Sequence, residues 1–408
     1  MMRLTVLPNG LKVASRAMPG FESVAIGLNA DAGSRHEPAS LNGIAHLFEH
    51  MVFKGAGDRS AREISETVED VGGDLNACTE RDGTSFSATM LADHMPLGVE
   101  LLSDLILRPH LEPEELEREK DVVLQELGEA RDTPGDIIFD ELWAAAYAGQ
   151  SLGRSILGDE ASIARIGVKD LNDWRDRHYG AASLSLVAAG KVDHDALVSE
   201  AERCLAAAPD GAACGHEPAT FTGERRILRA RSDQAHLTFA FAGPAATAPD
   251  YHPARLFADI VGGGASSRLF QTLREERGLA YSVSASLHAY VDTGIFSVHA
   301  ATSSRNAAAA TQLIEQVLSE AASGANAREL ERAQTQARAG LLMALESTWG
   351  QAHYLSRQLA IHNRLVEPRE LLEALASVTL DQVRAAGSAM LAGPRATASI
   401  GTAAARAA

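Results

Sequence analysis

The chain reads as an α+β protein: two duplicated α/β-sandwich domains of about 200 residues each, with helices packed on a mainly antiparallel sheet. Three observations predict it. Segments with strand alternation and segments with helical periodicity follow one another as strands, helix, strands, helices, and the series then repeats. Short residue patterns recur between the two halves at a nearly constant offset. The length of 408 residues accommodates two such domains.

Residues 3–15 and 22–31 read as strands joined around Asn9-Gly10 and Pro19-Gly20, pairs that favour tight turns. Residues 41–54 read as a helix, and Ala61–Val71 as another, closed by Gly72-Gly73. Asp74–Leu91 alternates like paired strands, and long helical periodicity runs through Leu97–Leu107 and Glu114–Arg131. Residues 205–224 hold Pro209-Asp210-Gly211, Gly215-His216-Glu217-Pro218 and Thr222-Gly223, a composition that predicts an interdomain linker. The expected division is therefore an N-terminal domain over 1–204, this linker, and a C-terminal homologous domain over 225–408.

The repeat is visible in three places. Ala45–Met51 aligns with Ala254–Ile260 at an offset of 209. Glu115-Leu116-Glu117-Arg118 matches Glu329-Leu330-Glu331-Arg332 at an offset of 214, and Asp82–Phe86 resembles Asp292–Phe296 between them. A period this long points to duplicated domains rather than a solenoid.

Within the first of these segments stands His46-Leu47-Phe48-Glu49-His50. On a helix of 3.6 residues per turn, His46 and His50 share a face and Glu49 lies beside them. Two imidazoles and a carboxylate so placed suit Zn²⁺, with the carboxylate free to take a proton from metal-bound water. The order H-x-x-E-H inverts the commoner zinc motif H-E-x-x-H. The repeat supplies an internal comparison: the second half keeps Leu256-Phe257 but has Arg255, Ala258 and Asp259 where the first has His46, Glu49 and His50. Core and chemistry are thus separable, and one metal per chain is expected, in the first half. A catalytic zinc needs a third ligand. Glu119 and Glu126, seven residues apart and so on one side of a helix with Val122 and Val123 between, are the candidates, and their spacing does not choose between them.

Composition narrows the function classes. A formal charge of −17 argues against nucleic-acid binding, which needs clustered Lys and Arg. The absence of an apolar run of about 18 residues argues against membrane insertion. Three scattered cysteines, Cys78, Cys204 and Cys214, form no disulfide framework. The N-terminus runs directly into an alternating strand with no secretory pattern, so a cytoplasmic location is the expectation. Gly262-Gly263-Gly264 is not followed by a phosphate-binding fingerprint.

The stretches His46–Gly55, Gly72–Ala77, Glu117–Glu126, Phe139–Leu142, Gly262–Phe270 and Leu273–Tyr281 together resemble the pitrilysin family of zinc metallopeptidases, the inverzincins, on its processing-peptidase-like branch. The resemblance spans nearly the whole chain. It implies zinc bound by His46, His50 and Glu126, with Glu49 as general base and Glu119 orienting a ligand histidine. It further implies that Arg274 and Tyr281 reach the bound peptide from the C-terminal domain, Tyr281 toward the tetrahedral oxyanion and Arg274 toward a substrate carbonyl. The strand containing Asn76 and Ala77 would pair with an extended peptide backbone. Partners implied are unfolded or short peptides and a second subunit, preferably a homodimer because this chain carries both the zinc motif and the Arg/Tyr pair, with a zinc-less paralogue as the other possibility. The competing functional reading is a non-catalytic structural or peptide-binding relative.

Overall fold

The computed structural model describes residues 1–209, 215–228 and 234–401. Cys214 and positions 210–214 of the expected linker lie outside the described residues, as do 229–233 and 402–408 of the expected C-terminal domain. The first half runs through β1 (Met2–Val6), β2 (Lys12–Ala17), β3 (Ser23–Ala30) and α1 (Ile44–Val52). The short pair β4 (Gly55–Ala56) and β5 (Arg59–Ser60) leads into α2 (Ala61–Glu69). Next come the hairpin β6 (Asp74–Thr79) and β7 (Thr84–Leu91), then α3 (Met95–Leu107), α4 (Pro113–Asp132) and α5 (Pro134–Ala146). The half closes with α6 (Glu160–Arg165), α7 (Val168–His178), β8 (Leu184–Gly190) and α8 (His194–Leu205).

The second half retraces that order. It begins with β9 (Arg225–Leu228), β10 (Gln234–Gly243) and α9 (Tyr251–Gly262), and a π-helical segment over Phe270–Glu276 stands near the place of α2. The hairpin β11 (Ala280–Ala289) and β12 (Gly294–Ser303) precedes α10 (Ala307–Gly324), α11 (Ala327–Ala344) and α12 (Thr348–His362). Last are α13 (Pro368–Ser377), α14 (Leu380–Ala392) and β13 (Arg395–Ile400). The three repeat matches seen in the sequence fall on equivalent elements: α1 and α9, α4 and α11, and the turns into β7 and β12.

The chain forms two compact units, and both draw on segments from either side of residues 205–224. The first comprises Met1–Leu127, Ser155–Glu217 and Leu342–Glu367. Its six-stranded sheet has the order β1-β2-β8-β3-β7-β6, antiparallel except where β2 runs parallel to β8. One face is a continuous core in which Val24, Ile26 and Leu28 of β3 meet Phe86 of β7, Leu47 and Phe48 of α1, and Val99 and Leu102 of α3. The period of two along the strands puts these residues on one side.

The second unit comprises Gly128–Arg154, Pro218–Leu341 and Pro368–Ala408. Its sheet has the order β11-β12-β10-β13-β9, again antiparallel apart from one parallel pair, β9 with β13. Strand for strand this reproduces β6-β7-β3-β8-β2, so the duplication extends to topology and to the position of the parallel pair. Phe239, Phe257 and Phe296 anchor its core, as Phe48 and Phe86 anchor the other.

Each sheet is covered on its second face by a single helix from the opposite half of the sequence. In the first unit α12 lies on β2, β3 and β8. In the second α5 lies on β9, β10 and β13, the equivalent strands. The two covers occupy matching positions in the element series, so the halves have exchanged them. β8 is buried at every position, as a strand covered on both faces must be. Under α5 the contact is a separate apolar cluster, in which Ile138, Leu142 and Trp143 meet Ala240, Ile295, Ala398 and Ile400. Sequence periodicity marks α5 and α12 as amphipathic but carries no information about which sheet each one meets.

Candidate metal centre

α1 sorts its residues by face. Ile44, Ala45, Leu47, Phe48, Met51 and Val52 are buried, while His46, Glu49 and His50 are only partly so and share the remaining face. The helix starts at Gly43, whose φ of +93° is readily adopted only by glycine. A β-carbon there would sit 2.7 Å from Ile163 Cδ1 and 2.9 Å from the Leu157 carbonyl oxygen.

α4 brings two carboxylates to this face. Leu116, Glu119, Lys120, Val123 and Leu127 form its buried stripe, and Glu126 stands two turns after Glu119. Val122, expected beside Val123 on the inward side, is 41% exposed, because the helical period carries it off the stripe.

Three donors converge. His46 Nε2 is 3.7 Å and His50 Nε2 3.6 Å from Glu126 Oε2, and the two rings are 4.6 Å apart between centroids. Ligands of a tetrahedral zinc at about 2.0–2.1 Å stand roughly 3.3 Å from one another, so this set closes around the ion with small side-chain adjustments. Among the described residues no other group of three His, Cys, Asp or Glu side chains converges in this way. Burial and the adjacent His50 lower the His46 imidazole to about 4, leaving it neutral and able to donate a lone pair. The donor types, number and spacing fit Zn²⁺.

Glu119 is 5% exposed and does not join the three. One of its oxygens lies 3.1 Å from His50 Nδ1, and the other lies 2.7 Å from Lys54 Nζ. Accepting the Nδ1–H fixes the tautomer and turns Nε2 toward Glu126. The Lys54 ammonium compensates a carboxylate that would otherwise be buried with little to balance its charge. Glu49 points to a different neighbour: Thr79 Oγ1, on β6, donates to its carboxylate at 2.5 Å. Burial raises the Glu49 carboxyl above the ordinary glutamate range, and the Thr79 hydrogen bond and His50 draw it back down.

β6 is the edge of its sheet and packs beside α1. Asn76 and Ala77 lie on it, and the Asn76 side-chain carbonyl accepts the Ala77 N–H at 2.9 Å. Exposed Cys78 sits between Ala77 and Thr79 on this strand. Arg274 and Tyr281 belong to the second unit. Arg274 lies on the π-helical segment with its guanidinium 4.8 Å from the Phe270 ring centre. Tyr281 follows on edge strand β11 and is 63% exposed. The structure thus assembles His46, Glu49, His50, Glu119 and Glu126 in one unit. It adds Lys54, which lies inside the His46–Gly55 stretch without being marked there as a contact, and Thr79, which lies outside the motif stretches.

The chain is similar to known proteins along most of its length. Residues 12–160 match the family described as Insulinase (Peptidase family M16), and residues 165–337 match the Peptidase M16 inactive domain. An uncharacterized zinc protease of Rickettsia felis is 33% identical over 381 residues, covering 93% of this chain and 92% of that protein. An uncharacterized zinc protease of Bacillus subtilis is 31% identical over 94% of each chain. The mitochondrial-processing peptidase subunit beta of Lentinula edodes is 33% identical over 93% of this chain and 85% of its own. Two crystal structures share the fold at a TM-score of 0.92. The first, of a peptidase M16 inactive domain from Pseudomonas fluorescens, is 22% identical and covers 98% of both chains. The second, of a protease from Helicobacter pylori, is 19% identical and covers 98% of this chain and 99% of its own. The chain is a member of peptidase family M16, the pitrilysin family, on its processing-peptidase-like branch.

Proposed function

We propose that this chain is a zinc-dependent endopeptidase acting on unfolded or short peptides, with one zinc held by His46, His50 and Glu126. The observation that carries the reading is the convergence of these three donors beside an unligated carboxylate, Glu49. Relatives named as zinc proteases and as a processing-peptidase beta subunit support it. The inactive-domain match falls on residues 165–337, where Arg255, Ala258 and Asp259 replace the ligand set, and leaves the first-half motif intact.

When bound, zinc would supply Lewis acidity toward water and the scissile carbonyl. Glu49 accepts the proton of the attacking water and returns it to the leaving amine, a role suited to a carboxylate whose affinity for protons burial has raised. Thr79 holds that carboxylate from the strand side, and Glu119 holds His50. An extended peptide adds to the free edge of β6, where Asn76 gives up its own hydrogen bond to Ala77 as the backbone pairs. Tyr281 donates to the oxyanion and Arg274 binds a substrate carbonyl, in a homodimer enclosing the peptide.

Glu49→Gln separates this reading from a non-catalytic relative. The variant is expected to keep about one zinc per chain and to lose at least roughly a thousandfold in turnover of a quenched peptide. Near wild-type turnover would remove Glu49 from the role of base. Zinc without cleavage in the wild type would favour a peptide carrier, and neither zinc nor cleavage a structural subunit.

A further inference from the structure

Five residues upstream of the metal helix touch both walls of the candidate centre. Glu37 is 4% exposed, and its carboxylate is aimed at the start of α1. One oxygen accepts the Gly43 N–H at 2.8 Å and the Asn42 side-chain amide at 2.7 Å, and the other accepts the Ala45 N–H at 2.9 Å. The first amides of a helix have no partner within it, and α1 has neither a capping side chain at Gly43 nor an acid in its first turn. Glu37 supplies both functions from a distance, a negative group and two acceptors at the positive end of the helix.

The same segment grips the β6–β7 turn. The Ser34 and Arg35 amides donate to the carbonyls of Glu80 and Arg81, at 3.0 and 3.1 Å. The fully buried Arg35 guanidinium pairs with Asp82 at 2.8 Å. Gly33 lies so close that a β-carbon would come within 2.2 Å of the Glu80 carbonyl oxygen. Just before this turn stands Thr79, the hydrogen-bond donor to Glu49.

We propose that Gly33-Ser34-Arg35-His36-Glu37 is a bracket that sets the spacing between the metal helix and the edge strand, with Glu37 and Arg35 as positioning residues. Glu37 fixes where α1 begins and hence where His46, Glu49 and His50 stand. Arg35 fixes the turn that carries Thr79 and ends β6. The inference rests on the zinc reading of His46–His50 for its functional consequence but not for its structural one.

Hydrogen exchange on the zinc-free full-length chain, zinc competition with a chelator, and peptide kinetics test it together. Glu37→Gln should speed exchange at residues 43–47 about tenfold, weaken zinc about tenfold and lower kcat with KM within about twofold. Arg35→Gln should speed exchange at residues 80–84 and raise KM several-fold, with zinc affinity within about twofold of wild type. Glu37→Asp, which keeps the charge but shortens the reach, gives the same reading if Glu37→Gln does not fold. Wild-type exchange at both places would overturn the bracket. So would a uniform rise across residues 1–127, since that marks lost stability rather than lost positioning. A wild-type chain that binds no zinc would defeat the proposed function, while the two exchange patterns would still decide the bracket.

Discussion

At the scale of single residues, the candidate metal centre is braced by side chains outside the proposed ligand set. Lys54 is the clearest case, because its ammonium is the cation held against buried Glu119. Lys54→Met should therefore act through His50, weakening zinc about tenfold in a chelator competition and destabilising the fold by about 1–3 kcal/mol in denaturant melts. Unchanged zinc affinity would mean that Glu119 orients His50 unaided. The shared face of His46, Glu49 and His50 was legible in the sequence because H-x-x-E-H on one helix needs only local geometry. Glu126 followed from family resemblance, since spacing left it level with Glu119. Thr79 and Glu37 were not legible: each acts on α1 from another segment, and a threonine in a strand or a glutamate in a loop carries no periodic signal. Val122 departs from the sequence reading, which took it with Val123 as marking the inward side, while the buried stripe passes through Val123 alone.

At the scale of elements, strands and helices between residues 3 and 131 were predicted nearly where they occur, because alternation and 3.6-residue periodicity report local burial directly. Sheet order was not, since pairing partners separated by a hundred residues leave no local trace. The exchanged helices show this limit most plainly, and they yield a test. Leu142 lies in the first half of the sequence but is buried in the second unit's apolar cluster, and Leu355 shows the converse arrangement. Leu142→Ala and Leu355→Ala should each cost about 2–5 kcal/mol. Native-state hydrogen exchange should then loosen β10 and β13 in the first variant and β3 and β8 in the second. Loosening confined to strands of the same sequence half would refute the exchange.

At the scale of the whole molecule, the two halves share the fold but not the candidate ligands. Phe257 and Phe296 match Phe48 and Phe86, yet Arg255, Ala258 and Asp259 stand where the first half has His46, Glu49 and His50. No helix among the described residues is long and apolar enough to cross a membrane. The proposed homodimer makes a quantitative prediction. If Tyr281 serves the zinc site of the other subunit, an equal mixture of Glu49→Gln and Tyr281→Phe chains should regain about a quarter of wild-type turnover after subunit exchange. Each mixed pair then holds one complete site. Absence of any gain, with exchange verified by mass, would assign Tyr281 to the site of its own chain.

The crossed helices tie the two halves of the sequence together. Two copies of one fold that trade the same helix have the connectivity of a domain-swapped dimer, here written into a single polypeptide. Either half of the sequence taken alone lacks the helix that covers the second face of its own sheet. The covalent link between the halves supplies each sheet with its covering helix in a fixed one-to-one ratio.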